Sequence, residues 1–310
     1  MTALLISGLS LTQESQQFFI IMYKQIQVCK EIKDISNGKE KIAIPLKLNT
    51  DNDQQPNVFE YIKSCIGGPG VNLPKEPFYE GCKCGDICNP SICPCIAQYG
   101  PAYEWKNDIL TIKDSFFEKY GLSQPVIECN SQCSCSHSCS NRLVQNGIMM
   151  NLEVFSASNK GWGLQTLQDI KKGQFVCEYA GEIISLKEAK RRTQQKQGDH
   201  NYIIVIKEHI KHGQTLCTHV DPVYYGNAGR FINHSCDPLL VMIPVRIDSL
   251  IPVLALFAVK DIAMYTELTF DYSGGGEVMQ QNSSSPGIKK KCSCGSVNCA
   301  GYLPFDSTLF

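Results

Sequence analysis

The placement of the cysteines limits what this chain can fold into more than any other feature. Seventeen are present, and nine of them, Cys82, Cys84, Cys88, Cys93, Cys95, Cys129, Cys133, Cys135 and Cys139, fall in one stretch with few long apolar runs. Three more, Cys292, Cys294 and Cys299, lie near the C-terminus. The opening MTALLISGLSLTQ is mildly apolar but lacks the basic flank and small-residue cleavage site of a secretory signal. A reducing compartment is therefore expected, where thiols ligate metal more often than they pair. An odd number of thiols cannot pair among themselves, and isolated tetrahedral sites would use four or eight. Three zinc ions need about twelve ligand bonds, which nine thiolates supply if three of them bridge. Such a cluster carries a formal charge of about −3, so nearby amides or cations should compensate it. Two ordinary zinc sites with one spare thiol are the alternative. In either count the metal is structural, because a closed all-thiolate site leaves no open position for a substrate.

The rest of the chain has the material of a globular protein. With 310 residues, 43% hydrophobic and 19% charged, it can build one sizeable core with smaller attached modules. A formal net charge of −1 excludes binding to nucleic acid by bulk charge, leaving only a local patch. The longest apolar run, around Phe18 to Tyr23, is far short of a membrane span.

Residues 1–76 show no strong periodicity, and Asn49 to Asn57 is polar and turn-rich. From Asn151 onward short strand-like runs follow one another: LEVFS (152–156), GLQTL (163–167), FVCEYAG (175–181), YIIVI (202–206), TLCTHV (215–220), VLALFAV (253–259) and ELTFDY (267–272). One helix is expected over about 186–196, where Ser185 and Glu188 form a capping-box pattern and the basic face should be solvated. The run SGGGEVMQQNSSSPGIKKK is Gly/Ser-rich and should be flexible. The fold class is thus mainly β with few helices.

Three separated segments, KGWGL (160–164), RFINHSC (230–236) and ELTFDY (267–272), carry chemistry when taken together with the cysteines. GWG alone could be a hairpin turn, and because it opens no helix it does not read as a dinucleotide-phosphate loop. In combination, over about residues 81–305, the chain resembles the SET-domain lysine methyltransferases. VCEYAGE, MIPVRIDS and LPFDS narrow that resemblance to one branch of the family. It implies a pseudoknotted SET β-fold carrying a Cys-rich pre-SET three-zinc cluster and a post-SET single-zinc module. The corresponding division is 1–76 of unclear structure, 77–145 pre-SET, 146–273 SET and 274–310 loop plus post-SET. It also implies Cys236 as the fourth ligand of the C-terminal zinc, fastening the tail across the active site. Cys29, Cys65, Cys177 and Cys217 are then left as small buried hydrophobes or free thiols.

The reaction so implied is methyl transfer from S-adenosyl-L-methionine to a lysine amine. Free lysine has a pKa of roughly 10.4, so near neutral pH only about one amine in a thousand is reactive, a cost on the order of 4 kcal/mol. A narrow aromatic channel favours the neutral amine by desolvation. By resemblance Tyr179, Phe270 and Tyr272 form that channel, Tyr272 orienting the amine through its hydroxyl. Against each stands simple core packing. The cofactor is expected against Trp162 and the backbone of Lys160, Gly161 and Gly163, with Tyr202, Arg230, Asn233 and His234 around its ends. His234 could instead ligate metal, but with Cys236 the thiolate count is already four. Phe270 stands where a tyrosine in other members restricts multiple methylation, which implies at least a dimethyl product. Leu239 replaces the asparagine usual after Cys-x-Pro.

The implied substrate is a histone H3 tail or nucleosome, hence a nuclear, chromatin-associated protein, with a DNA contact left open. Lys289 to Lys291 is too short for a clear import signal. Glu178, Glu182 and Asp221 are candidates for an acidic peptide groove, with surface solvation the plainer role. The competing readings are a methyltransferase acting on another protein and a zinc-dependent scaffold that keeps the fold without turnover.

Overall fold

The computed structural model describes residues 31–48, 56–74, 76–117, 125–157, 159–195, 202–209, 215–273, 290–304 and 306–309. Cys29, the apolar run at 18–23, most of 49–57 and the Gly/Ser-rich run from 274 through Lys289 lie outside them. Among the described residues the chain is mainly β, with α-helix only at Pro94–Ala97 and Leu186–Gln195. None of these helices is long and apolar enough to cross a membrane.

The central sheet is ordered Phe175–Glu178, Val253–Ala258, Leu240–Arg246, Thr269–Phe270, Asn233–His234, with Val126–Ile127 paired to the far end of Leu240–Arg246. VLALFA is apolar on both faces and almost wholly buried, as a strand covered on two sides must be. Leu240–Arg246 escapes sequence reading because Pro244 interrupts it and proline cannot donate to a ladder. The structure accommodates it simply. Opposite the Val253–Ala258 side, among the described residues, only Leu240, Val245 and Arg246 have strand partners, so no ladder described there needs the missing N–H of Pro244.

Of the expected strand 267–272, only Thr269–Phe270 takes strand form. It lies between Asn233–His234 and Leu240 and pairs parallel with both, tucking the last motif beside the RFINHSC segment. This placement, brought about by residues more than thirty positions apart, builds the site.

Two smaller sheets flank this one. In the first, the hairpin of Leu152–Ala157 and Gly161–Thr166 is extended by Leu46–Lys47 and Glu31–Ile32. In the second, Ile204–His209, Thr215–Asp221 and Glu182–Ile184 are extended by Ile66–Gly67. The described residues of 31–74, unassigned by sequence, thus add strands to these two sheets, and Ile44, Leu46 and Tyr61 are buried in the main core.

The helix Leu186–Gln195 begins as its capping pattern predicts, Glu188 N donating to Ser185 Oγ at 3.2 Å. Its basic face is not uniformly solvated. Arg191 is exposed beside Glu188, but Arg192 is buried and its guanidinium donates to Glu182 (2.7 Å), Asp221 (2.9 Å) and Glu188 (2.8 Å). The same contacts correct the reading of the acids. Glu182 and Asp221 are neither solvated nor free for a basic peptide, because they neutralise Arg192 where the helix packs on the sheet. Glu178 is also buried, its Oε1 accepting from Cys65 N at 3.0 Å.

Candidate active site and thiolate centres

The nine clustered cysteines converge. Three quartets have all their sulfurs within 4.8 Å of one another: Cys82, Cys88, Cys93, Cys129; Cys82, Cys95, Cys129, Cys133; and Cys88, Cys129, Cys135, Cys139. Four thiolates at about 2.3 Å from a tetrahedral zinc stand roughly 3.8 Å apart, so the donor set fits zinc in number, type and spacing. Cys82 and Cys88 recur in two quartets and Cys129 in three, with Cys82 and Cys129 sulfurs each 3.6 Å from that of Cys88. Shared sulfurs at the centre are what bridging requires. Cys84, half-buried against the cluster, is the one of the nine outside these quartets.

Compensation for the thiolate charge comes from a residue that the sequence reading did not single out. Arg142 is buried, its Nε donates to Cys135 Sγ at 3.3 Å, and its terminal nitrogens reach the carbonyls of Cys129 (3.3 Å) and Asn130 (3.1 Å). Cys82 N, Asn130 N and Asn141 Nδ2 add donors to sulfurs. The available signal was position: an arginine directly after the last cysteine run, in CSNR, with the net thiolate charge still to be neutralised.

At the other end, Cys236, Cys292, Cys294 and Cys299 form a fourth quartet on the same distance criterion. Cys236 comes from the RFINHSC segment and the other three from the tail. Ala300 N donates to Cys236 Sγ (3.4 Å) and Asn298 Nδ2 to the Cys236 carbonyl (3.1 Å), so the tail is laced to the RFINHSC segment.

Beside that junction lies an aromatic stack. The rings of Tyr179 and Phe270 meet edge to face at 5.8 Å, and Phe270 and Tyr272 are 4.8 Å apart. Tyr272 donates its hydroxyl to Ile232 O at 2.9 Å and Tyr179 to Tyr202 O at 2.8 Å. Burial pushes both phenols above their ordinary pKa, so both remain protonated near neutral pH. Phe270 is 1% exposed and has no hydroxyl to hold a water in the stack.

Part of the expected cofactor edge, the backbone at Trp162, is tied to Asn233 of the RFINHSC segment. Gly161 has φ +76°, a left-handed conformation that glycine adopts freely. Gly163 is needed for close approach rather than for a left-handed backbone, since a Cβ there would meet the Phe155 ring at 2.8 Å. Asn233 Nδ2 donates to Trp162 O (3.0 Å) and Glu267 Oε1 (2.9 Å), while Lys160 Nζ pairs with Glu267 Oε2 at 2.9 Å. The Arg230 guanidinium lies over Phe59 at 4.2 Å and Tyr202 at 5.7 Å, and donates to Pro222 O and Val223 O. His234 is buried and accepts from Tyr272 N through Nδ1 (3.2 Å), leaving Nε2–H to face Cys236 Sγ at 3.3 Å. Its ring stands beside the thiolate quartet, and burial lowers its pKa, favouring the neutral form.

A thiol-rich module joined to a β-fold, with a tail held by a cysteine quartet beside an aromatic stack, defines a class of protein that comparison makes explicit. The SET domain model matches residues 161–273 and the Pre-SET motif model residues 36–142. The chain belongs to the SET-domain family of histone-lysine N-methyltransferases. Among similar proteins, histone-lysine N-methyltransferase SETMAR of Mus musculus is 44% identical over 291 residues, covering 90% of this chain and 91% of the mouse protein. The crystal structure of the methyltransferase domain of human SETMAR superposes with a TM-score of 0.75 at 41% identity, covering 89% of this chain and 98% of that one. KRYPTONITE, solved in complex with mCHH DNA, an H3(1-15) peptide and SAH, gives a TM-score of 0.69 at 30% identity, covering 88% of this chain and 53% of that one.

Proposed function

We propose that this enzyme transfers methyl groups from S-adenosylmethionine to a lysine of histone H3, at least to the dimethyl state, in the nucleus and on chromatin. The observation that carries the reading is the stack of the buried Tyr179 and Phe270 with the partly buried Tyr272, beside the tail's cysteine quartet. S-adenosylmethionine supplies an activated methyl on a positive sulfur. The chain's own residues prepare the acceptor. The aromatic walls exclude water and so favour the neutral amine. Because the Tyr272 hydroxyl donates its hydrogen bond to Ile232 O, its oxygen is left as an acceptor that can orient the amine, and with its raised pKa it is not the base. Phe270 leaves room in the channel for an amine that already carries a methyl. Lys160, Gly161, Trp162, Gly163, Tyr202, Arg230, Asn233 and His234 form the cofactor edge in this reading.

The thiolate quartets hold three zinc ions at the pre-SET module and one at the tail, all structural. The working division is 77–145 for the metal module, 146–273 for catalysis and 274–310 for the closing tail. KRYPTONITE supports this reading through the H3 peptide, DNA and SAH of its complex. The test is mass spectrometry of recombinant nucleosomes and of bare H3 tail peptide after incubation with the enzyme and S-adenosylmethionine. Mono- and dimethyl-lysine on H3 are expected. Modification of other histones alone would overturn the H3 assignment, and a strong preference for nucleosome over peptide would assign a role to the DNA.

A further inference from the structure

One carboxylate outside the assigned site touches two of its members. Glu267 receives Lys160 Nζ on one oxygen at 2.9 Å and Asn233 Nδ2 on the other at 2.9 Å. It is only partly exposed, with 25% of its side chain accessible, and its backbone is pinned on both sides. Thr166 N donates to Thr266 O (3.2 Å), and Leu268 N donates to Leu164 O (2.7 Å). The carboxylate therefore projects from a fixed base, tying the turn before Trp162 to the start of the NHSC segment.

Its effect on Asn233 is specific. A side-chain amide has one donor end and one acceptor end, and which way it points is set by its neighbours. Both hydrogens of Asn233 Nδ2 are taken by acceptors, the Trp162 carbonyl and Glu267 Oε1. The flipped amide would bring its oxygen against two other oxygens. Glu267 and Trp162 thus fix the rotamer in which Oδ1 is the end left for a ligand, as an acceptor for an ammonium or an exocyclic amine. The carboxylate also holds Lys160, whose backbone begins the GWG edge, by an ion pair that is half-shielded from water.

We propose that Glu267 is a positioning residue for S-adenosylmethionine, holding Asn233 and Lys160 in their binding orientation without entering the methyl transfer. This deepens the proposed function and rests on its reading of residues 160–163 and 233–234 as the cofactor edge. The chain has two tryptophans, so Trp105→Phe, at an exposed position of the hairpin Tyr103–Lys106 with Ile109–Ile112, leaves Trp162 as the sole reporter. In that background, S-adenosylmethionine binding is followed by Trp162 fluorescence and calorimetry, and steady-state kinetics on an H3 peptide are run in parallel. Glu267→Gln keeps an acceptor for Asn233 but loses the charge facing Lys160. It is expected to raise the cofactor Kd and cofactor KM about tenfold, the loss of one charge-assisted contact. kcat at saturating cofactor should stay within about twofold, with peptide KM and melting temperature close to the parent. Glu267→Ala, which also frees the Asn233 amide, should lose more affinity in the same pattern.

If the parent binds the cofactor by calorimetry with no change at Trp162, the reading of the cofactor edge itself fails, and the proposal with it. If Trp162 responds but Glu267→Gln binds as tightly as the parent, only the positioning role fails. A fall in kcat at saturating cofactor without a rise in Kd also overturns it, placing Glu267 in the chemical step.

Discussion

The two halves of this molecule solve the problem of an interior in opposite ways. Around Cys82 to Cys139 the buried cluster is almost all sulfur, with Ile96 the one buried non-cysteine member among the described residues. In the catalytic half the interior is aliphatic and aromatic, centred on residues such as Ile44, Leu164, Leu254 and Phe270. The first core supplies little transfer free energy and, with the zinc ions proposed above, would depend on metal bonds to offset its chain entropy. The second is held by area removed from water, about 25 cal/mol per Å². Removing metal should therefore unfold one half selectively, while changing side-chain volume should damage the other.

The largest separation of the two is expected from a strong zinc chelator. Loss of metal should abolish the cooperative structure of the thiol module and unlace the tail, while hydrogen exchange of Val253–Ala258 stays slow. Equal loss of protection in both halves would break the comparison. A smaller but still severe effect is expected of Arg142→Met. Removing the cation facing Cys135 and the Cys129 carbonyl leaves the thiolate charge uncompensated, and a buried partner lost in this way costs about 3–5 kcal/mol. Denaturant melts with zinc present check this, and a cost near zero would mean that backbone amides suffice.

The apolar half has its own buried charge, without metal. Burial raises the pKa of Glu178 from 4.5 to about 7, against hydrogen bonds from Cys65 that pull it down. A carboxyl whose folded pKa is raised stabilises fully below its unfolded pKa, and that contribution is lost as pH rises through the folded value, here across about 4.5 to 7. Glu178→Gln keeps an acceptor for Cys65 N and should stabilise the protein at pH 8 by about 1–3 kcal/mol, and hardly at all near pH 4.5. Thermal melts at both values test it. A stabilisation that does not change with pH would contradict the assignment. The smallest effect on stability and rate is expected of Phe270→Tyr, which should shift the product distribution toward monomethyl-lysine, read by mass spectrometry.

The thiol half was the more legible in sequence, because cysteines that converge announce themselves by type and spacing. All four tail-site cysteines and eight of the nine others appear in close quartets. In the catalytic half the three motifs meet as the family resemblance implies, but what brings them together was hidden. Leu240–Arg246 carries Pro244, and Leu46–Lys47, Glu60–Tyr61 and Ile66–Gly67 are two-residue strands paired in parallel across 100 residues or more. No local periodicity survives in so short a strand. Arg192, Glu182 and Asp221 read as solvated charges because sequence shows each charge but not its partner. Arg142 and Glu267 were missed for the same reason.

The most direct test of the account compares the native enzyme with Tyr272→Phe, using labelled S-adenosylmethionine and an H3 substrate, after matching the two for zinc content and melting temperature. The substitution removes the hydroxyl bonded to Ile232 O and leaves the ring. The account predicts label on H3 from the native enzyme and at least about a hundredfold less from the variant, with metal and fold unchanged. Equal label from both would contradict it, because the aromatic stack would then be core packing and the chemistry would lie elsewhere.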